Sequence, residues 1–266
     1  APDGIDINMG CPVHKITSNF NGCALMKDPN LAAAIIREIK KVIGATPLSV
    51  KIRLGWSSPD DFKKFIPVIE EAGADLITIH GRTKTQGYNG ASDWRRIAEA
   101  KKIARVPILA NGDIHKPEQV REVLEITGAD GVSIARGALG NPWFFKMCTN
   151  LLPYVRTYEW VRTYELRTEH QSIPLEERIQ VVLEHAKLHV AQYGEKGIKT
   201  FRKHLAWYFK TDKIGFEVPG ISAFRNHLVR VNSLGELEEL LQNFLAKSVK
   251  EEFKHDDKKF DDILAV

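Results

Sequence analysis

Cysteine is scarce, with Cys11, Cys23 and Cys148 the three in 266 residues. So sparse and odd a set argues against the disulfide framework of small secreted domains, and each cysteine is read as a reduced thiol. No uncharged apolar run approaches the roughly 18 residues that a membrane-spanning helix needs, and the first eight residues lack the basic-then-apolar pattern of a secretory leader. The expectation is a soluble, cytoplasmic protein. A large excess of one charge is missing too: the net charge of +4 permits a polyanionic partner without requiring one. What is present, 43% hydrophobic and 27% charged residues, suits one barrel-sized domain plus a small one. An initiating Met is absent, and the chain runs from Ala1 almost directly into a strand-like segment. The reading is therefore of a chain truncated at its N-terminus.

From residue 4 to 140, short apolar runs alternate with segments of helical period. Strands are predicted at Ile5 to Asn8, Leu48 to Arg53, Leu76 to His80, Val106 to Asn111 and Gly131 to Arg136. Several look apolar at consecutive positions, the pattern of parallel strands covered on both faces. Helices are predicted at about 29–43, 59–72, 92–104 and 117–126. A weak repeat relates Glu71 to Arg82 with Glu125 to Arg136: in each copy a Gly ends a helix and an Asp enters a strand. Repeated βα units point to a (β/α) barrel or a doubly wound sheet. Five strands fall short of an eight-stranded barrel, so the expected fold is an α/β (β/α)8 TIM barrel lacking about its first three βα units, followed by a small all-helical domain. The expected domains are a partial barrel at 1–150, a linker at 151–173, a helical domain at 174–248 and a charged tail at 249–266. The linker holds a tandem duplication, Val155 to Trp160 and Val161 to Leu166. Helices are predicted at Leu175 to Tyr193, Glu195 to Phe209, Pro219 to Val231 and Leu234 to Lys247, the last opened by a Ser233/Glu236 capping box.

In a parallel barrel the chemistry sits where strands end. Those ends are polar here: Asn8 and Cys11, then Lys51 and Arg53, His80 and Arg82, Asn111, Gly112 and Asp113, then Ala135 and Arg136. The last two groups, with the glycines up to Gly140, suit a phosphate held on backbone amides beside one guanidinium, which implies a phosphorylated cofactor. Lys51 and His80 would supply donors to the electron-rich edge of a flavin. Cys11 is a proton donor or a nucleophile, since no second Cys or His stands at zinc-like spacing. Arg53 and Arg82 are candidates for substrate contact. The plain alternatives are a buried apolar thiol, a Lys51–Asp6 ion pair, a satisfied core histidine and arginines paired with nearby acids. No metal site is expected.

The segments Asp6 to Pro12, Lys51 to Gly55, Ile79 to Thr83, Ala110 to Ile114 and Ile134 to Ala138 resemble, in order and spacing, those of the tRNA-dihydrouridine synthases, especially the bacterial type. Phe201 to Tyr208 is similar to the helical-domain signature of that family. The resemblance implies an FMN enzyme that reduces the 5,6 double bond of particular uridines in tRNA, with NADPH as electron source. It implies Cys11 as the acid that protonates uracil C5, Asn8 as a uracil contact, and Lys51 and His80 as flavin-ring contacts. Asn111, Gly112, Asp113, Ala135 and Arg136 resemble the phosphate and ribose site. A flavin reductase of a free pyrimidine and an RNA-binding remnant without catalysis are the competing readings.

Residues 170–230 carry ten Lys and Arg against six Asp and Glu, with five His besides. Lys199, Arg202, Lys203 and Lys210, beside Trp207 and Tyr208, form the expected tRNA face. The protein is expected to act as a monomer.

Overall fold

The structure is a computed structural model that describes residues 2–151, 173–210, 218 and 220–248. The duplication at 155–166, nearly all of the expected linker and the expected tail lie outside these residues. The described chain divides into two compact units. One comprises the chain up to Ala138 and the stretch from Phe144; the other comprises Leu139–Trp143 and the helices from Leu175 onward.

The first unit is a five-stranded parallel sheet in the order β1-β2-β3-β4-β5. The strands are β1 (Ile5–Asn8), β2 (Leu48–Arg53), β3 (Leu76–His80), β4 (Ile108–Asn111) and β5 (Gly131–Ser133). The first three match the prediction. β4 starts two residues later than expected, beyond Pro107, whose ring nitrogen carries no hydrogen to donate to a ladder. β5 ends early because the backbone turns into a short 3-10 segment, Arg136–Ala138. Helices Pro29–Ile43, Phe62–Glu71, Trp94–Ile103 and Glu118–Thr127 fill the crossovers. The strand order never reverses, so crossovers of one hand would put these helices on one face of the sheet, unlike a doubly wound sheet, whose order reverses.

The strands correct the expectation of apolar residues at consecutive positions. Within β2, Leu48, Val50 and Ile52 are buried in the helix-facing core, while Ser49, Lys51 and Arg53 take the alternate positions. The opposite face of β2 is therefore polar, and it is the face that supplies the functional groups.

The sequence repeat has a mechanical basis. Asp75 Oδ2 accepts from the Leu48 N–H and from Lys40 Nζ, both at 2.8 Å. Asp130 Oδ2 accepts from the Ile108 N–H and from Lys101 Nζ, both at 2.7 Å. Each carboxylate thus joins its own strand entry to the preceding strand and to that strand's helix. The exposed ammonium contributes at most about 1 kcal/mol, whereas leaving a buried strand N–H unpaired costs roughly 1–3 kcal/mol. The backbone bond is the larger effect, which explains why an acid stands there in both copies.

The second unit packs Leu175–Tyr193, Gly197–Tyr208, Ile221–Leu228 and a helix at 234–248 around Ile179, Val182, Ala186, Phe201, Leu205, Leu228 and Leu237. Ser233 Oγ accepts from the Glu236 N–H at 3.1 Å, half of the expected capping box. Glu236 reaches back to the Asn232 N–H, one residue earlier than the box requires. Gly140 was expected in a phosphate loop but serves this packing: a Cβ there would lie 2.3 Å from the Trp207 carbonyl carbon. Three of the histidines are half-buried against the core of this unit. His185, His189 and His204 cluster around Phe201, and His185 Nδ1 meets the Tyr208 hydroxyl at 3.0 Å.

Candidate active site

Register assembles the site. Asn8 lies abreast of Lys51, Arg53 of His80, and His80 of Asn111. Paired residues of parallel strands share a face, as do residues two apart on one strand, so these five side chains project together from one end of the sheet. With Cys11, Tyr88, Gly112, Asp113, Ala135 and Arg136 they line one cleft of about 250 Å³.

The loop after β1 is fixed from both sides of the thiol. Asn8 Oδ1 accepts from the N–H groups of Gly10 and Cys11 at 3.0 and 3.1 Å. The Cys11 carbonyl accepts from the Cys23 N–H at 3.0 Å. Gly22 makes that approach possible: its φ is +58°, and a Cβ would stand 2.9 Å from the Cys11 oxygen. Cys11 is half-buried at the cleft, whereas burial pushes the Cys23 and Cys148 thiols up to about 11 against the usual 9.0. The latter two belong to the core, as expected.

Burial pulls Lys51 down to about 8, with repulsion from Arg53 adding to the effect and Asp6 opposing it. Asp6 accepts instead from Ser49 Oγ at 2.6 Å. Burial, then the charges of Arg53, Lys51 and Arg82, take His80 down to about 3. The ring is therefore neutral near pH 7. Arg82 NH1 stands 3.1 Å from His80 Nε2, and since a guanidinium only donates, Nε2 accepts and the proton resides on Nδ1.

Arg53 and Arg82, expected as substrate contacts, are committed to the protein. Arg53 is 2% exposed and donates to the carbonyls of Gly10, Thr83 and Gly87 at 3.0, 2.8 and 2.7 Å. It ties the Cys11 loop to the loop after β3. Arg82 donates to both Asp113 oxygens, at 2.9 and 2.6 Å, and to the carbonyls of Asn89 and Gly90. Asp113 also accepts from the Ser92 N–H at 2.7 Å. Burial would push this carboxyl up, but the Arg82 bonds, the Ser92 N–H and the charges of Arg82 and Arg136 outweigh it and hold Asp113 below the usual range. The Asn111 amide donates to the Ser133 carbonyl at 2.7 Å, bracing β4 against β5.

Tyr88 is a site residue that the sequence reading passed over. Its ring lies 5.5 Å from the Arg53 guanidinium and 4.7 Å from that of Arg136, at the cleft wall. The signal was Gly87 and Gly90 on either side, both at positive φ, a tight loop presenting one aromatic.

In the helical unit, Lys199 and Lys203 are exposed four residues apart on one helix face, and Lys210 Nζ lies 5.5 Å from the Trp207 ring centre. Arg202 also serves the packing of its own unit. Its Nε donates to the Val231 carbonyl at 2.7 Å, and NH2 donates to the Arg230 carbonyl and to Asn232 Oδ1. It anchors the segment before the last helix.

Among the described residues no three His, Cys, Asp or Glu side chains come together as metal ligands. No described helix is long and apolar enough to cross a membrane. A protein-family model described as "Dihydrouridine synthase (Dus)" matches residues 1–250. The chain is 36% identical over 243 residues to "Probable tRNA-dihydrouridine synthase 1" of Synechocystis sp., covering 91% of this chain and 63% of that protein. It is 36% identical over 231 residues to "tRNA-dihydrouridine synthase B" of Pseudomonas aeruginosa, covering 85% and 63%. Against "Probable tRNA-dihydrouridine synthase" of Rickettsia bellii it is 38% identical over 209 residues, covering 77% and 59%. The chain thus spans about three fifths of the length of these curated relatives.

Proposed function

Because the chain belongs to the dihydrouridine synthase family, we propose that the cleft binds FMN and reduces the 5,6 double bond of a uridine in tRNA, with NADPH as the electron source. In this reading the sheet is the wall of a (β/α)8 barrel, the helical unit binds tRNA, and the protein works as a cytoplasmic monomer. The observation that carries it is the convergence of Asn8, Cys11, Lys51, His80 and Arg136 on one cleft. The lining fits FMN on its charges. Asp113, the acid among the lining residues, pairs with Arg82 and lies 3.5 Å from Arg136, so with Lys51 and Arg53 beside them the wall stays cationic toward a phosphorylated ligand.

Bound FMN would supply a hydride for uracil C6. The residues of this chain do the rest. Asn8, whose oxygen holds the Cys11 loop, has its amide N–H groups to donate to a uracil carbonyl. Negative charge that develops across C4 and C5 of the base requires a proton at C5, and in this reading the Cys11 thiol gives it. Neutral His80 and cationic Lys51 donate to the cofactor ring; Arg136, Asn111, Gly112, Asp113 and Ala135 form its phosphate and ribose side. Arg53 and Arg82 act as positioning residues that hold the two loops.

Lys51 supplies the test. FMN affinity, read by quenching of flavin fluorescence, should fall as pH rises from about 7 to 9, because the ammonium loses its proton near 8 rather than 10.5. Fold stability should move the opposite way: the cost of holding the charged form is full below pH 8 and is relieved between 8 and 10.5. Lys51→Met should bind FMN more weakly and without this pH dependence. A flat profile for the unaltered chain would remove Lys51 from the binding charge, and no quenching at any pH would overturn the flavin reading.

A further inference from the structure

Trp56 and Lys84 lie just past the ends of β2 and β3, and Lys27 ends the 3-10 turn Gly22–Lys27; none of the three lines the cleft. Lys84 and Thr85 donate their N–H groups to the carbonyls of Gly55 and Trp56 at 2.8 and 3.0 Å, so the loops after β2 and β3 are laced together. The Trp56 N–H donates to Asp61 Oδ2 at 2.9 Å. On this braced platform the Lys27 ammonium stands 4.9 Å, and the Lys84 ammonium 4.4 Å, from the centre of the Trp56 ring.

The two ammonium groups are therefore within roughly 10 Å of each other, about one Debye length at 0.1 M salt. Each is attracted by the ring, and among the described residues neither forms an ion pair with a carboxylate. Two like charges held over one aromatic ring, with the nearby Asp61 carboxylate engaged by the Trp56 N–H, make a site that an anion shared between them would stabilise. Its place indicates which anion. The loop that carries Lys84 continues to Gly87, whose carbonyl holds Arg53, and to Tyr88 in the cleft wall. Flexible ammonium groups suit phosphate oxygens.

We propose that Lys27, Trp56 and Lys84 form an anchor for the phosphodiester backbone of RNA, gripping the strand next to the nucleotide that enters the cleft. This rests on tRNA being the substrate.

The test uses the full chain and a fluorescein-labelled tRNA transcript, with anisotropy titrations across a series of NaCl concentrations. Lys27→Gln combined with Lys84→Gln should weaken binding ~10-fold at 0.1 M salt and reduce the slope of log K against log salt by about 1.4, the amount for two single-strand phosphate contacts. FMN affinity should not change, which separates lost contacts from a misfolded chain. Arg at both positions should restore affinity and slope. An unchanged slope in the Gln variant, with the original chain still binding tRNA, overturns the anchor and leaves the substrate reading intact. Failure of the Arg pair to rescue overturns it too, as does a loss of affinity for polyglutamate but not for tRNA. If the original chain shows no salt-dependent tRNA binding, the substrate reading falls and the anchor with it.

Discussion

Cys11→Ala should lower the rate of dihydrouridine formation on the order of 10²- to 10⁴-fold, the usual contribution of a positioned general acid, while FMN affinity stays the same. The expectation follows from how the loop is built. Asn8 and the Cys23 N–H hold the Cys11 backbone on both sides, so removing one sulfur atom deletes the proton source without releasing the loop. Cys11→Ser separates acid chemistry from packing: it keeps a donor of similar size but far lower acidity, and it should recover little of the lost rate. Quantifying the product in digested tRNA checks both variants. An unchanged rate in Cys11→Ala would assign the proton to another group.

Arg82→Met should destabilise the first unit by about 3 kcal/mol and abolish FMN retention. Arg82 is 3% exposed, and its side chain makes a two-point contact with Asp113 while also holding His80 and the loop carbonyls of Asn89 and Gly90. Removing it leaves a carboxylate in a partly buried position with its main counter-charge gone, and breaking a buried pair on one side costs roughly 3–5 kcal/mol. Asp113 keeps some contact with water, which places the value at the low end. Adding Asp113→Asn to Arg82→Met should recover part of the loss, because the stranded charge is then removed; urea unfolding of the two single variants and the double variant measures this coupling. Purely additive effects would mean that the pair is not acting as a unit.

What the sequence made legible is what local chemistry sets. β1 to β3 each end at a polar residue that opens a polar or Gly-rich loop, so their limits could be read directly. Asp28, which caps helix Pro29–Ile43 by accepting from the Leu31 N–H at 3.0 Å, precedes a Pro that starts the helix. The repeated Gly and Asp marked strand entries because the same clamp recurs in space. What stayed hidden depends on partners far away in the chain. Arg53 and Arg202 read as available cations, but they donate to carbonyls 30 and 29 residues off, and Arg82 to the Asp113 carboxylate 31 residues off, a fact no local pattern contains. Gly140 looked like part of a phosphate loop until the approach of Trp207 explained it. The alternation within β2 was in plain view, but the expectation of two covered faces hid it: Ser49, Lys51 and Arg53 mark a polar face.

The central claim is that these strand ends form a single uridine-reducing site. Its most direct test is to incubate an unmodified tRNA transcript with the chain, FMN and NADPH, digest the RNA to nucleosides and identify them by mass spectrometry. The account predicts that uridine at a defined position gains two hydrogens in the presence of all three components, and that the gain disappears when FMN is left out. A chain that binds both FMN and the transcript yet returns every uridine unreduced would contradict it.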